Sequence, residues 1–231
     1  VVVDLGVPAE KVRVLPMGVA LNRIQRSAQP VPRLPGRLVF VGRLVEKKGM
    51  EVLLDALGQL PPGLEWSLDV VGDGPLRAAL EERARPLGDR VVFHGQQSST
   101  HLAALLGRAE VAVFPSVRAR SGDQDGLPVA LLEAMAAGTP IVASDLPGLS
   151  DAVAGGDAGA EPAGRLVEPG DAGALAAAIG SVLSDAEARR RMGRAAVERA
   201  ATYSMDAIGA RYVALLQAAV GSGSAPHEGD L

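Results

Sequence analysis

From residue 37 onward, short apolar runs alternate with longer amphipathic stretches. The runs Arg37–Gly42, Ser67–Gly72, Arg90–Gly95, Val111–Pro115, Pro140–Ala143 and Gly164–Glu168 predict strands. They carry too few polar positions to keep one face wet, the pattern of strands covered on both sides. Between them, Gly49–Leu60, Pro75–Leu87, Thr100–Arg108, Leu127–Ala137 and Gly148–Ala154 read as helices. This alternation, with turns marked by Gly and Pro, predicts an α/β fold built on a doubly wound parallel sheet. Right-handed crossovers would bring every strand's C-terminal end to one edge, where such sheets bind ligands.

Both ends depart from the pattern. Residues 1–20 read as a helix end (Val1–Leu5), a turn at Gly6–Pro8 and a strand over Lys11–Pro16. Residues 21–36, polar and Pro-rich from Arg26 to Pro35, read as a linker. After the last strand come helices at Ala172–Leu183, Ala186–Ala201 and Met205–Val220, then a Gly/Ser-rich tail, 221–231, expected to be disordered. The chain opens Val-Val-Val, so a preceding segment is expected.

Composition narrows the function. Of the 231 residues, 48% are hydrophobic and 22% charged, ordinary globular usage for a chain long enough to bury a core. A net charge of −4 and 3% aromatic residues provide neither the field nor the stacking surface for nucleic acid. Cysteine is absent, and His94, His101 and His227 are too scattered to suggest a metal cluster. No apolar stretch reaches the roughly 20 residues that cross a bilayer. The expected location is cytoplasmic.

Three segments could carry chemistry. In Val41-Gly42-Arg43-Leu44-Val45-Glu46-Lys47-Lys48-Gly49 a strand ends in glycine, cations follow, and a helix opens. Gly42 admits a ligand close to the backbone, while Arg43 and Lys48 suit phosphate oxygens. The same residues also fit a solvated surface loop. The second segment, Gly122-Asp123-Gln124-Asp125-Gly126-Leu127-Pro128-Val129, leads into the helix that ends at Gly138. The N–H groups of Gly126, Leu127 and Val129 would point out of its start, a ready anion site. Glu133 lies within this otherwise apolar helix and needs a partner, whether ligand hydroxyls or a structural arginine. The third, Val70-Val71-Gly72-Asp73-Gly74-Pro75-Leu76, is a tight turn that structure alone can explain.

Taken together, Gly42-Arg43-Leu44, Lys48-Gly49, Gly72-Asp73-Gly74-Pro75, Pro115-Ser116 and Glu133 through Pro140 resemble the family 4 retaining glycosyltransferases (glycosyl transferases group 1), which have the GT-B fold. The likeness runs from about residue 5 to 205 in the right order, and Ser116 to Pro128 is worded like the colanic-acid and exopolysaccharide branch. It implies one Rossmann-like half of a GT-B fold. Residues 1–20 would be the remnant of the N-terminal acceptor domain, with Val12–Pro16 its last strand. Residues 37–203 would bind a nucleotide sugar. Helix 204–220 would cross back, presenting Ile208, Tyr212, Leu215 and Leu216, a face left exposed here or used for self-association.

The resemblance also implies roles. Arg43 and Lys48 match the residues that bind the donor diphosphate, and Glu133 matches the acid that accepts the ribose hydroxyls. Asp125 stands where a glutamate facing the donor sugar is usual, one methylene shorter. Gln96 and Gln97 fall beside the nucleotide base. A second departure is Gly148-Leu149-Ser150-Asp151, where relatives show Pro-Glu. The implied activity moves a hexose from a UDP- or GDP-linked donor to a glycan or lipid-linked acceptor, with no obligatory cofactor or metal. Its setting would be cytoplasmic, including a peripheral place at the inner membrane face. One rival is a non-catalytic nucleotide-sugar-binding module. Others, a dinucleotide-dependent oxidoreductase or a nucleotide-sugar epimerase, would need Gly-x-Gly-x-x-Gly after the first strand, which this chain lacks.

Overall fold

A computed structural model describes residues 6–22, 24, 32–154 and 160–221. Six strands form one sheet: β1 (Arg37–Val41), β2 (Ser67–Val71), β3 (Val91–Gly95), β4 (Val111–Phe114), β5 (Ile141–Ser144) and β6 (Gly164–Val167). All neighbours pair in parallel, in the order β3-β2-β1-β4-β5-β6. This is the Rossmann-like α/β sheet that the alternation predicts. The central strands are buried at successive positions, so both faces must be covered. Leu38, Val39 and Phe40 of β1, for example, are at most 1% exposed.

The helices that cover the two faces are α1 (Met50–Leu57), α2 (Arg77–Ala84), α3 (Ser99–Arg108), α4 (Val129–Ala136), α5 (Leu149–Ala154), α6 (Ala172–Ser184) and α7 (Ala186–Ala201); α8 (Met205–Gly221) follows them and buries Ile208. Leu38, Phe40, Leu68 and Val113 pack with α1, α2 and α6. Val39, Val41, Ala112 and Ile141 pack with α3, α4 and α5 on the opposite face. Helix α7 serves both layers, through Ala188 and Met192 on one side and Ala196 and Ala200 on the other. Asp171 and Asp185 accept the N–H groups of Ala174 and Ala188, capping α6 and α7.

From β1 the chain builds outward to β2 and β3, then returns to place β4 on the other side of β1. The loops after β1 and β4 therefore diverge from adjacent strands at the sheet's carboxyl edge. A crevice opens there in folds of this kind.

Three expectations are corrected. Lys11–Pro16 is not a strand: Ala9–Lys11 is a 3-10 turn, and the chain runs on unpaired until Val19 bridges Ser204. A strand needs a neighbour for its N–H and C=O groups, and here none lies beside it among the described residues. The linker expected over 21–36 is partly packed into the domain, with Leu21 and Ile24 at 4% and 1% exposed. Ile208, expected on the presented face of α8, is buried against Gly18, whereas Tyr212 and Leu216 are exposed. The helix end at Val1–Leu5 and the tail beyond Gly221 lie outside the described residues. No helix among those residues is long and apolar enough to cross a membrane.

Two buried charges hold the frame. Asp69, 1% exposed on β2, receives Arg37 Nε and Nη2 at 2.6 and 2.8 Å and contacts His94 Nε2 at 2.6 Å, tying three strands together. Arg33 lies at the opposite edge from the β1 and β4 loops. Its Nη2 donates to the carbonyls of Gly138 (2.6 Å) and Ala137 (3.2 Å), and its Nη1 to Ala109 O and Thr139 Oγ1. Burial pushes this guanidinium below the usual arginine value, with Glu110 acting in the opposite sense. Arg33→Ala is expected to lower stability by about 2–4 kcal/mol, because several enclosed acceptors lose a charged donor. Urea unfolding checks this; a change below about 0.5 kcal/mol, the range of neutral surface substitutions, would contradict it.

Candidate functional site

The loop after β1 folds as a short 3-10 turn, Glu46–Lys48, and reaches α1 through Gly49 at φ 64°. That left-handed conformation suits glycine, and the space permits nothing larger. A Cβ at Gly49 would sit 1.8 Å from Pro115 O, at the end of β4. Gly72 makes the matching approach on the other side: its φ is 132°, and a Cβ would sit 2.0 Å from Gly42 O. Leu44 N–H donates to Asp73 O and Leu76 N–H to Leu44 O, at 2.9 and 3.1 Å, so the loops after β1 and β2 are zipped together. The turn at Gly72–Gly74 is thus explained by packing, as its sequence allows.

Toward β4 the contacts are ionic. Lys47 N–H₃⁺ lies 2.9 Å from Asp123 Oδ2, and Lys48 Nζ lies 2.8 Å from Asp125 Oδ2. Arg120 donates to Glu46 Oε1 through its backbone N–H and its Nε, both at 3.1 Å. Val117 N–H donates to Lys47 O at 2.9 Å. Ser116 Oγ donates to Asp125 Oδ2 at 2.7 Å. Its hydrogen bond with Asp123 holds Lys47 above the ordinary lysine range. The pairs 46–120 and 47–123 are exposed and worth little singly. The pair 48–125 is enclosed, at 18% and 7% side-chain exposure, where losing one partner costs far more.

Arg43 differs from both lysines. It is exposed, and among the described residues it has no hydrogen bond or ion pair. It borders two clefts. One, of about 620 Å³, is lined by Gly42, Arg43, Gly72, Gly74, Gln96 and Gln97 among others. The second, about 390 Å³, takes in Arg43, Lys47, Lys48, Ser121 and Asp123. Gly42, Arg43, Lys48, Gln96 and Gln97 thus gather around adjoining clefts, and Asp125 joins them through Lys48.

Gly126, Leu127, Val129 and Glu133 line neither of these clefts; they stand on the β4 side of the crevice. Helix α4 begins at Val129 with Pro128 as its extended capping residue, so the N–H groups of the first turn point out of its start. Gly148 backs this tip: a Cβ there would be 3.0 Å from Gly126 C and 3.2 Å from Leu127 N. The Gly148 departure thus has a local use. Glu133 is half-buried on the second turn of α4, among Leu131, Leu132 and Ala134.

A third cleft, about 660 Å³, is elsewhere, lined by Arg33, Glu110, Gly138, Arg189, Arg190 and Arg194 among others. Three of its four arginines are engaged internally, while Arg194 is exposed and has no hydrogen bond or ion pair among the described residues. Arg33 holds carbonyls, and Arg189 donates to Glu110 at 2.9 Å and to the carbonyls of Val182 and Leu183. Arg190 pairs with Glu187. The candidate site is the switch between β1 and β4, the edge where sheets of this kind bind ligands. The sequence quoted Ser116 as part of a motif without giving it a role, and it did not single out the pairs 46–120 and 47–123. Their one signal is the match of Glu46-Lys47-Lys48 to opposite charges at 120, 123 and 125.

Comparison with known proteins adds independent findings. The family described as glycosyl transferases group 1 matches residues 23–199. The putative colanic acid biosynthesis glycosyltransferase WcaL of Salmonella typhimurium is 36% identical over 181 residues, covering 76% of this chain and 43% of that protein. The amylovoran biosynthesis glycosyltransferase AmsK of Erwinia amylovora is 33% identical, covering 77% and 43%. The chain thus spans less than half the length of these relatives. Among solved structures, sucrose-phosphate synthase from Thermosynechococcus elongatus aligns with TM-score 0.70 at 32% identity, over 91% of this chain and 53% of that one. HepE from Anabaena, in complex with UDP, shares the fold with TM-score 0.75 at 22% identity, over 94% and 60%.

Gly49→Ala is expected to cost about 2–5 kcal/mol, combining a strained φ with overpacking against Pro115. Gly58→Ala is the control: Gly58 has φ −67° and no atom closer than 3.5 Å to an added Cβ. Guanidinium unfolding of both should show the first strongly destabilised and the second within about 1 kcal/mol of the parent. Equal effects would mean that the loop-to-β4 approach is not a constraint.

Proposed function

Given that the chain belongs to the glycosyl transferases group 1 family, we propose that it is the donor-binding half of a retaining, GT-B-type hexosyltransferase that uses a UDP- or GDP-linked sugar. The observation that carries this reading is Arg43. It is an unengaged guanidinium at the switch between β1 and β4, shared by two adjoining clefts and flanked by Lys48. A diphosphate is the ligand that such a place fits. Its oxygens take the planar fork of Arg43 and the ammonium of Lys48. The outward N–H groups at Gly126, Leu127 and Val129 add the positive end of α4.

The chemistry follows from where charge develops. As the bond from the anomeric carbon to the diphosphate breaks, negative charge grows on the leaving oxygen. Donors already in place stabilise it without reorganisation. In this proposal Arg43 and Lys48 fill the part that a metal ion plays elsewhere, with no obligatory cofactor. Glu133, on the second turn of α4, accepts the ribose hydroxyls. Gln96 and Gln97 border the larger of the two clefts, on the side where the base would lie. Retention of configuration rests on the family resemblance. So does the acceptor, a glycan or lipid-linked sugar in cell-surface polysaccharide synthesis, held by a domain beyond these residues and reached in the cytoplasm. We expect the 231 residues to bind donor but to transfer little. A non-catalytic nucleotide-sugar-binding module would keep the same site. Asp125 in the glutamate's place favours that second reading, and turnover by the full-length protein separates the two.

Calorimetry with UDP and GDP tests the site. Arg43→Ala is expected to weaken the preferred nucleotide by about ten- to a hundredfold, the worth of a charged hydrogen bond. In the full-length protein it should lower turnover by about a hundredfold or more. Unchanged affinity for both nucleotides would refute the assignment.

A further inference from the structure

Asp125 is poorly disposed to touch a ligand. It is 6% exposed, and its Oδ2 already faces Ser116 Oγ at 2.7 Å and Lys48 Nζ at 2.8 Å. Ser116 is 2% exposed, directly after the Pro115 carbonyl that abuts Gly49. The hydroxyl is thus buried two residues beyond the end of β4, against the segment that packs on Gly49. On the other side, the stem of Lys48 lies across Gly42. Its Cδ and Cε are 3.4 and 3.6 Å from where a Cβ on that glycine would stand. An ammonium has three donors, and the contact with Asp125 occupies one. Two remain, and Lys48 lines a cleft together with Arg43.

We propose that Asp125 is a positioning residue: Ser116 fixes the carboxylate, and the carboxylate fixes the Lys48 ammonium beside Arg43 for phosphate oxygens. This rests on the diphosphate reading above, and it moves position 125 from donor-sugar contact to control of the lysine. The opposite role is competition, with the Asp125 carboxylate standing where a phosphate would bind. The enclosure of the pair argues against it. Without the carboxylate, Lys48 would keep a mostly enclosed charge with no counter-charge, a costly state that drives the ammonium toward solvent. Its flexible stem, unlike the planar fork of Arg43, offers no pre-set geometry to hold it in place.

The test is calorimetric binding of pyrophosphate to this chain and to Asp125→Asn, Ser116→Ala, Lys48→Met and the Lys48→Met/Asp125→Asn double variant. Asp125→Asn should weaken binding about tenfold and Ser116→Ala about threefold, as for directly contacting residues. In the Lys48→Met background, Asp125→Asn should change affinity by less than about twofold, because its whole effect passes through the lysine. The ion-paired Lys48 ammonium should also give a ¹H–¹⁵N signal that Asp125→Asn abolishes, which a merely structural residue would leave alone. Ser116→Ala, a milder change, keeps the test open should Asp125→Asn unfold the chain. Tighter binding by Asp125→Asn, or the same loss with Lys48 absent, overturns the proposal while leaving the diphosphate site standing. Failure of the parent chain to bind pyrophosphate overturns both.

Discussion

The site depends on backbone touching backbone at the carboxyl edge of the sheet. Gly49 lies against the Pro115 carbonyl and Gly72 against the Gly42 carbonyl, in both cases closer than any side chain allows. These contacts draw the loops after β1, β2 and β4 together, so that cations from the β1 loop face acids from the β4 loop. Without them, Lys48 and Asp125 would be distant residues on separate loops. Parallel strand order alone puts the loops on one edge; close approach turns that edge into a site.

Arginines at the two edges of the sheet show how the same residue type is put to opposite uses. At the far edge Arg33 is enclosed and its donors are spent on carbonyls, while Arg189 is spent on Glu110 and the end of α6. That is structural work, and it stabilises the junction of α4, α7 and the segment before β1. At the switch between β1 and β4, Arg43 is left unengaged while its neighbours are paired. Cleft volume would choose the first place. Strand order favours the second, where a guanidinium with donors to offer stands at the switch point of the sheet.

Much of this was legible beforehand, for identifiable reasons. Strands buried on both faces write themselves as continuous apolar runs, so all six were visible within a few residues. Glycines flanking the cations marked Gly42 and Gly49. Other features were not legible. Lys11–Pro16 has an apolar pattern, yet a strand is a property of a pair, and no neighbour exists for it among the described residues. Arg33 sits in a Pro-rich polar stretch that reads as a linker, and its acceptors at Ala109, Ala137 and Gly138 are distant in sequence. The enclosure of Asp69 by Arg37 and His94 depends on strand register. The Lys48–Asp125–Ser116 arrangement was half visible: each residue lay in a quoted motif, but nothing in the sequence said which would face which.

The central claim is that the ligand enters at the switch between β1 and β4. Amide chemical-shift mapping during titration with UDP, and separately with GDP, tests it most directly. The account predicts the largest shifts at Gly42–Gly49 and Gly126–Val129, with the surroundings of Arg33 and Arg189 unmoved. Shifts concentrated around Arg33, Gly138 and Arg189, or no shift with either nucleotide, would contradict it.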